Sequence, residues 1–504
     1  MRSTNLSLPS TRYGIGGSGL ILAGVASLVL LFAPYPVNLV LIPGLVFGIL
    51  LVLVPWAGPL ALVASVPVQE FHALPFGGTT LTATKVALVA AVAAFLIQLV
   101  SRREKLRGSF LFVPYLVFMG TMLLSLRGAV DLHAGYAEIY RWTVTLVALA
   151  MAVYGIRSRV AILATAVAMG FGVVFEGLLG VFQTLRDTGP ASFAITSSIS
   201  RAYGTFGKPN TFAAYFELTG PLLGALAVWS LARSIKLFRR YRRERFNGML
   251  ASGDLRRELV IHVILFVWFT GSSVLSLLAI VASFSRGAWL GITAAAIVMI
   301  MLSDKRAALL VGCGATIVVI GLFAGGAQYA PPALKDRFAQ LESQVRIFNS
   351  NDVLLTNANF ATVERMAHWQ TGLAMFDAHP FTGVGIGNFN ARFTQFAVNP
   401  AFTVSEGHAH NYYINVAAET GIIGLGAYLW LILTGLYVSW YAVRKSLNPF
   451  ARAIGVGAVG VTVALMVHNV VENLHVLNLG VQLSVVWALA IIVVRYLPNE
   501  VETS

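Results

Sequence analysis

Four clusters of polar and ionisable residues are functional candidates, three at the ends of long apolar runs, where each such group is costly to place, and one within the long segment between two such runs. The first is Arg201-Ala-Tyr-Gly-Thr-Phe-Gly-Lys-Pro-Asn210. Gly204, Gly207 and Pro209 shape a turn, and Asn210 is a good N-cap for a helix beginning near Thr211. A capped loop with a solvated arginine is the plainer reading of the same residues. The second, Ser283 to Gly291, centres on Arg286. Ser285 can cap the next helix, which would stand Arg286 beside backbone N–H groups at the positive end of a helix dipole, a site for an anion. Arginine suits phosphate because its planar fork donates two parallel hydrogen bonds and keeps its charge. An arginine snorkelling to the membrane surface is the alternative.

The third cluster runs from Glu364 and Arg365 through Trp369 and Asp377 to His379-Pro380, Gly383, Gly385 and Gly387. Residues near 360 to 378 read as an amphipathic helix with Phe360, Met366, Trp369, Leu373 and Met375 as its apolar contacts. Arg365 and Trp369 are four apart and share a face. His379-Pro380 should stop the helix, and the glycines permit close backbone approach. A helix lying in the membrane interface would look the same. The fourth cluster is Glu406, His408, His410 and Asn411, followed by Glu419 inside an apolar run. A neutral histidine can accept a proton. Two histidines could also bind a metal, but no third and fourth ligands stand nearby in sequence, so no metal is expected. Glu419 should face protein, to orient a histidine or an arginine or to pair with a backbone group.

The elements that must position these groups are membrane helices. Of 504 residues 57% are hydrophobic and only 11% charged, and the mean hydropathy is +0.77, which excludes an ordinary soluble enzyme. Apolar runs lie near 18–34, 37–54, 57–69, 82–100, 109–126, 139–155, 160–184, 211–232, 259–281, 287–303, 307–326, 411–442, 452–472 and 476–496. The run at 57–69 is short and bracketed by Pro55, Pro59 and Pro67, so a broken or re-entrant element is expected there. The fold class is thus an all-α, polytopic integral membrane protein with about 12–14 transmembrane helices. Its expected organisation is transmembrane helices over 1–326 with a basic cytoplasmic loop at 233–258, one long external helical loop at 327–410, and C-terminal transmembrane helices over 411–504.

The net charge of +14 follows topology rather than nucleic acid. More than half of the basic residues fall in alternate connections, at 102–107, 157–159, 233–257, 305–306 and 444–452, which the positive-inside rule makes cytoplasmic. Segments 127–138, 185–210 and 327–410 are then external. The single cysteine, Cys313, lies within an apolar run and excludes a disulfide framework. No cleavable signal, internal repeat, Walker-type loop or metalloprotease motif is evident.

In their order, the four clusters resemble the O-antigen ligase and O-antigen polymerase superfamily of bacterial membrane glycosyltransferases. The resemblance covers roughly 195–430 and is most specific at Ser285 to Trp289, at Arg365 through His379-Pro380 to Gly385, and at His410-Asn411 followed by Glu419 to Gly421. It implies a GT-C-like, metal-independent, cofactor-free and inverting enzyme of the bacterial inner membrane, with its active site facing the periplasm or cell exterior. The donor would be an undecaprenyl-diphosphate-linked glycan. The acceptor would be a sugar hydroxyl of lipid A-core in a ligase, or a second lipid-linked repeat unit in a polymerase. Carried across, Arg286 and Arg365 match the diphosphate-binding arginines and His410 the catalytic histidine. Arg201 and Asn210 match a less specific motif near the donor, while Trp369, His408, Asn411 and Glu419 are candidates for donor or acceptor contact. A lipid-linked glycan transporter is the competing class, but it would need charged groups along a midplane path, and these gather at one edge.

Overall fold

A computed structural model of the chain describes residues 37–70, 74–76, 79–102, 108–196, 199–247, 252–303, 347–356, 359–405 and 407–497. The apolar runs expected at 18–34 and 307–326, Cys313, Glu406, the basic pair at 305–306 and positions 327–346 lie outside the described residues.

The elements are helices α1 (Val37–Leu53), α2 (Ala57–Ser65), α3 (Ala83–Arg102), α4 (Phe112–Ser125), α5 (Leu132–Gly155), α6 (Arg159–Arg186), α7 (Pro209–Glu217), α8 (Gly220–Phe246), α9 (Gly253–Ala282), α10 (Arg286–Ser303), α11 (Phe360–Ala378), α12 (Phe389–Phe396), α13 (Tyr412–Lys445), α14 (Pro449–His468) and α15 (Leu479–Tyr496). Two short antiparallel hairpins, Leu74–Phe76 with Thr79–Leu81 and Ala194–Thr196 with Ile199–Ser200, are the sheets among the described residues. The fold is therefore all-α and polytopic. Eight helical stretches in the described residues are long and apolar enough to cross a membrane: α3, α6, α7 with α8, α9, α10, α13, α14 and α15. The run at 57–69 is the broken element its prolines require, since α2 gives way to a 3-10 turn, Val66–Val68, at Pro67.

One expected span is interrupted. The run at 211–232 is two helices separated at Leu218 and Thr219, and the first begins at Pro209, so Lys208 rather than Asn210 is the N-cap. Proline's fixed φ and missing N–H suit the first helical position. That choice frees the Asn210 side chain for tertiary contacts.

The core is built where α14 runs among α8, α10 and α13, with α15 on α5 and α13 on α4. Hydrophobic attraction between helices is weak in lipid, so close fit matters. A Cβ at Gly457 of α14 would lie 2.6 Å from the Leu222 Cα of α8. Outward faces carry Leu116, Val260, Ile264, Val267, Leu277, Leu433 and Trp440, all exposed, which fits lipid rather than water around the bundle.

Basic residues mark one end of the helices. Arg159 opens α6, Arg243 and Arg245 close α8, Arg256 and Arg257 begin α9, and Arg444 and Lys445 close α13. Chain reversal then carries 187–208, 283–285, 407–411 and 469–478 to the opposite end.

Candidate active site

Each functional side chain is set by local structure that its own sequence explains. The loop 201–208 hangs from two polar residues of α6. Gln183 Oε1 accepts from the Tyr203 and Gly204 N–H groups (3.1 and 2.7 Å), and Glu176 accepts from the Thr205 N–H and hydroxyl (3.1 and 2.7 Å). Buried polar groups in a helix interior need such partners. Arg201 emerges from this loop, donating through Nε to the Ser283 carbonyl (2.9 Å) and through Nη2 to Asn210 Oδ1 (3.0 Å). The Asn210 amide in turn donates to Glu472.

Between α9 and α10 the chain turns at Phe284, in the left-handed region at φ 50°, while Ser283 Oγ accepts from the Ser285 N–H at 3.1 Å. Arg286 is the first residue of α10, at the helix end where N–H groups lack intrahelical partners. Arg365 lies on α11, which spans the expected stretch and ends before Pro380. One turn later Trp369 donates from Nε1 to the His410 carbonyl at 3.2 Å, tying α11 to the histidine segment. His410 is left-handed (φ 52°), and Asn411 caps α13 by accepting from the Ile414 N–H at 3.1 Å.

The glycine loop after α11 docks on a break in α13. At Gly421 (φ 67°, ψ −168°) the helix leaves helical geometry. The carbonyls of Ala418 and Glu419 accept instead from the N–H groups of Val384 (2.9 Å) and Gly385 (3.0 Å), and the Ile422 N–H donates to the Pro380 carbonyl (2.8 Å). Gly383 lies against this break, where a Cβ would meet the Glu419 carbonyl carbon at 2.2 Å. The Glu419 carboxylate accepts from the Phe389 N–H at 2.9 Å. It pairs with backbone rather than with a histidine or arginine.

Arg201, Asn210, Arg286 and Arg365 line one cavity of about 160 Å³, together with His468 and Glu472. His408 and His410 reach it through Glu472, whose Oε1 lies 3.5 Å from His408 Nε2 and 3.4 Å from His410 Nδ1. A larger groove of about 680 Å³ opens at the basic end between Phe110, Val113, Tyr437, Tyr441 and Arg495. None of the expected site residues lines it, and its walls are mostly apolar.

Electrostatics make the cavity a cationic site with one central carboxylate. Burial would raise Glu472, but His410, His408 and Arg365 hold its carboxyl well below the usual carboxylate range. Burial lowers Arg365, opposed by Glu472 and Glu364. His408 is pushed down to about 4 by burial, against Glu472 and with His410 and Lys208 adding to the fall. The donor atoms of His408, His410 and Glu472 all lie within 4.8 Å of one another, so folding supplies a third metal-ligand type that is remote in sequence. Among the described residues, the carboxylate in that group of three is Glu472, with Arg365 and Lys208 acting on the same groups.

Glu472 was not among the residues singled out in the sequence. Its signal was an ionisable group at the very end of the apolar run 452–472, in His468-Asn-Val-Val-Glu472-Asn-Leu-His475.

The residues thus define a polytopic helical bundle with arginines, histidines and a carboxylate gathered at one end. Residues 271–429 match the family model described as O-antigen ligase. The resemblance to the O-antigen ligase superfamily stands on this match, and with the fold it supports a multi-pass bacterial membrane glycosyltransferase of the ligase or polymerase type. The matched stretch contains Arg286, Arg365, His408, His410 and Glu419; Arg201, Asn210 and Glu472 fall outside it. No curated protein matches the chain.

Proposed function

We propose that the protein is an O-antigen ligase-like transferase that moves a glycan from undecaprenyl diphosphate to a sugar hydroxyl of lipid A-core or a similar acceptor, at the external face of the inner membrane. The observation that carries this reading is the meeting of Arg286, Arg365 and Glu472 in one cavity with His408 and His410 at the carboxylate. Arg286 and Arg365 hold the diphosphate, with Arg201 and Asn210 on the donor side. His410 places Nδ1 towards Glu472, which leaves Nε2 to take the acceptor proton. The acceptor oxygen attacks the anomeric carbon, the bond to the diphosphate oxygen breaks, and its electron pair leaves on that oxygen beside the guanidiniums. Direct displacement inverts the anomeric centre. Trp369, Asn411 and Glu419 act by fixing the backbone around these groups.

The test is purified protein with lipid-linked donor and alternative acceptors, followed by mass spectrometry of lipid and glycan. Free undecaprenyl diphosphate and an extended acceptor are expected. Extension of a second lipid-linked repeat unit instead assigns polymerase activity, and intact donor crossing a liposome membrane without transfer assigns transport. His410→Gln, which hydrogen bonds but takes up no proton at neutral pH, should be as inactive as His410→Ala. Near-normal transfer by the Gln variant removes the base from His410.

A further inference from the structure

Directly beside Arg286 lies a second carboxylate–histidine pair that the proposed reaction does not use. His468, the last residue of α14, places Nδ1 2.5 Å from Glu217 Oε2 at the end of α7, with side-chain exposures of 1% and 0%. Glu217 Oε1 has no hydrogen-bond partner among the described residues. His468 nevertheless lines the cavity, alongside Gly287. Helix α10 is cut back where the pair reaches it: a Cβ at Gly287 would lie 2.6 Å from His468 Nε2, and one at Gly291, a turn later, 2.2 Å from Glu217 Oε1. The same helix turn that presents Arg286 thus makes room for the ring.

We propose that His468, held by Glu217, is a further ligand of the diphosphate, donating a hydrogen bond from Nε2 beside Arg286. This inference rests on the diphosphate reading of the cavity and deepens it. Burial favours a pair with no net charge. Two arrangements satisfy that condition, a carboxylate with an imidazolium or a carboxylic acid with a neutral ring. In the first, and in the second with the acid proton on Oε2, one proton lies between Oε2 and Nδ1 and another sits on Nε2, so the nitrogen towards Gly287 is a donor. The other tautomer would bury an unpaired O–H at Glu217 Oε1, which has no acceptor among the described residues. No proton needs to move: as the anomeric carbon–oxygen bond breaks, the electron pair stays on the phosphate oxygen and strengthens the hydrogen bond it accepts. A pair kept only to join α7 to α14 would carry a buried carboxylate where apolar side chains would serve as well.

Full-length protein in nanodiscs, with inorganic pyrophosphate as the probe, tests this. The measurements are inhibition of transfer, protection from thermal unfolding, and KM for the acceptor. His468→Phe should weaken pyrophosphate about ten- to hundredfold, the scale of one hydrogen bond to a charged group, and leave the acceptor KM unchanged. His468→Gln, which keeps an N–H at similar reach, should recover part of that loss. If the lone Glu217 prevents His468→Phe from folding, the double variant with Glu217→Gln and the neighbouring Gly287→Ala carry the same expectation. Wild-type pyrophosphate affinity in these variants overturns the proposal, as does equal weakening of pyrophosphate and acceptor, which would make the pair structural. Wild-type protein indifferent to pyrophosphate would instead overturn the diphosphate reading of the cavity, and this inference with it.

Discussion

Arg286 and Arg365 approach one cavity from different elements, the first residue of α10 and the second turn of α11. Either charge removed from a water-poor site should cost about 2–4 kcal/mol of transition-state stabilisation. Arg286→Ala and Arg365→Ala are therefore expected to lower kcat/KM by roughly 30- to 1000-fold in steady-state assays of folded protein. Lysine at either position should restore only part, since it keeps the charge without the planar fork. Full activity in an alanine variant ends the diphosphate role of that arginine. The three donors at His408, His410 and Glu472 invite a second measurement. Transfer should survive exhaustive EDTA treatment, because the surrounding cations oppose a metal ion; loss of activity restored by zinc or magnesium would reassign those residues as ligands. Arg286, Arg365 and His410 were legible because each is an ionisable group in a short local pattern, and the order of those patterns, not any one alone, carried the family resemblance that suggested their roles. Glu472 and His468 were not, because their meaning comes from partners on α7, α10 and the histidine segment, brought close only by folding.

Among the elements, the docking of the glycine loop on α13 is the joint that ties α11, which carries Arg365, to the helix that follows His410. Gly383 adopts φ 69° with its Cα against the Glu419 carbonyl. Gly383→Ala adds backbone strain of about 1–3 kcal/mol together with a direct clash. At least about a tenfold loss of turnover is expected, with faster hydrogen exchange at the Val384 and Gly385 amides and little change in the membrane helices. Unchanged exchange at those amides would show that the loop tolerates a side chain and that the joint is softer than its geometry implies. Helix α11 could be read from its apolar spacing and its stop at His379-Pro380. The break at Gly421 could not, since the carbonyls it frees find their donors in the loop near residue 384, and the split at Leu218 and Thr219 was hidden within an unbroken apolar run.

For the whole molecule, two histidines outside the membrane-spanning segments, His475 buried and His408 half-buried, link stability to pH. Burial pushes His408 down to about 4 and, with Arg141 nearby, His475 to about 3. Unfolded, each takes up a proton as pH falls through about 6.5, whereas the folded protein excludes it until the lower value. The unfolded state thus binds more protons between about 6.5 and 4, and stability falls as pH falls through that window, by up to about 1.4 kcal/mol per pH unit for each histidine. Thermal unfolding in detergent from pH 7 to pH 4.5 should show a declining Tm, and His475→Phe should flatten the decline. A Tm independent of pH would mean that both rings are hydrated in the folded state. The break at Gly421 also carries a consequence for depth. From Ile422 to Lys445, α13 is on the order of 36 Å long at about 1.5 Å per residue, enough by itself to cross a hydrocarbon layer of roughly 30 Å. The helical stretch from Tyr412 to Thr420 would then stand, on the proposed reading, at the level of the lipid phosphates. On the proposed reading, a polyprenyl donor meets the arginines without leaving its leaflet: its tail stays among the acyl chains, its diphosphate keeps the height it already has, and only the sugar projects to meet the acceptor.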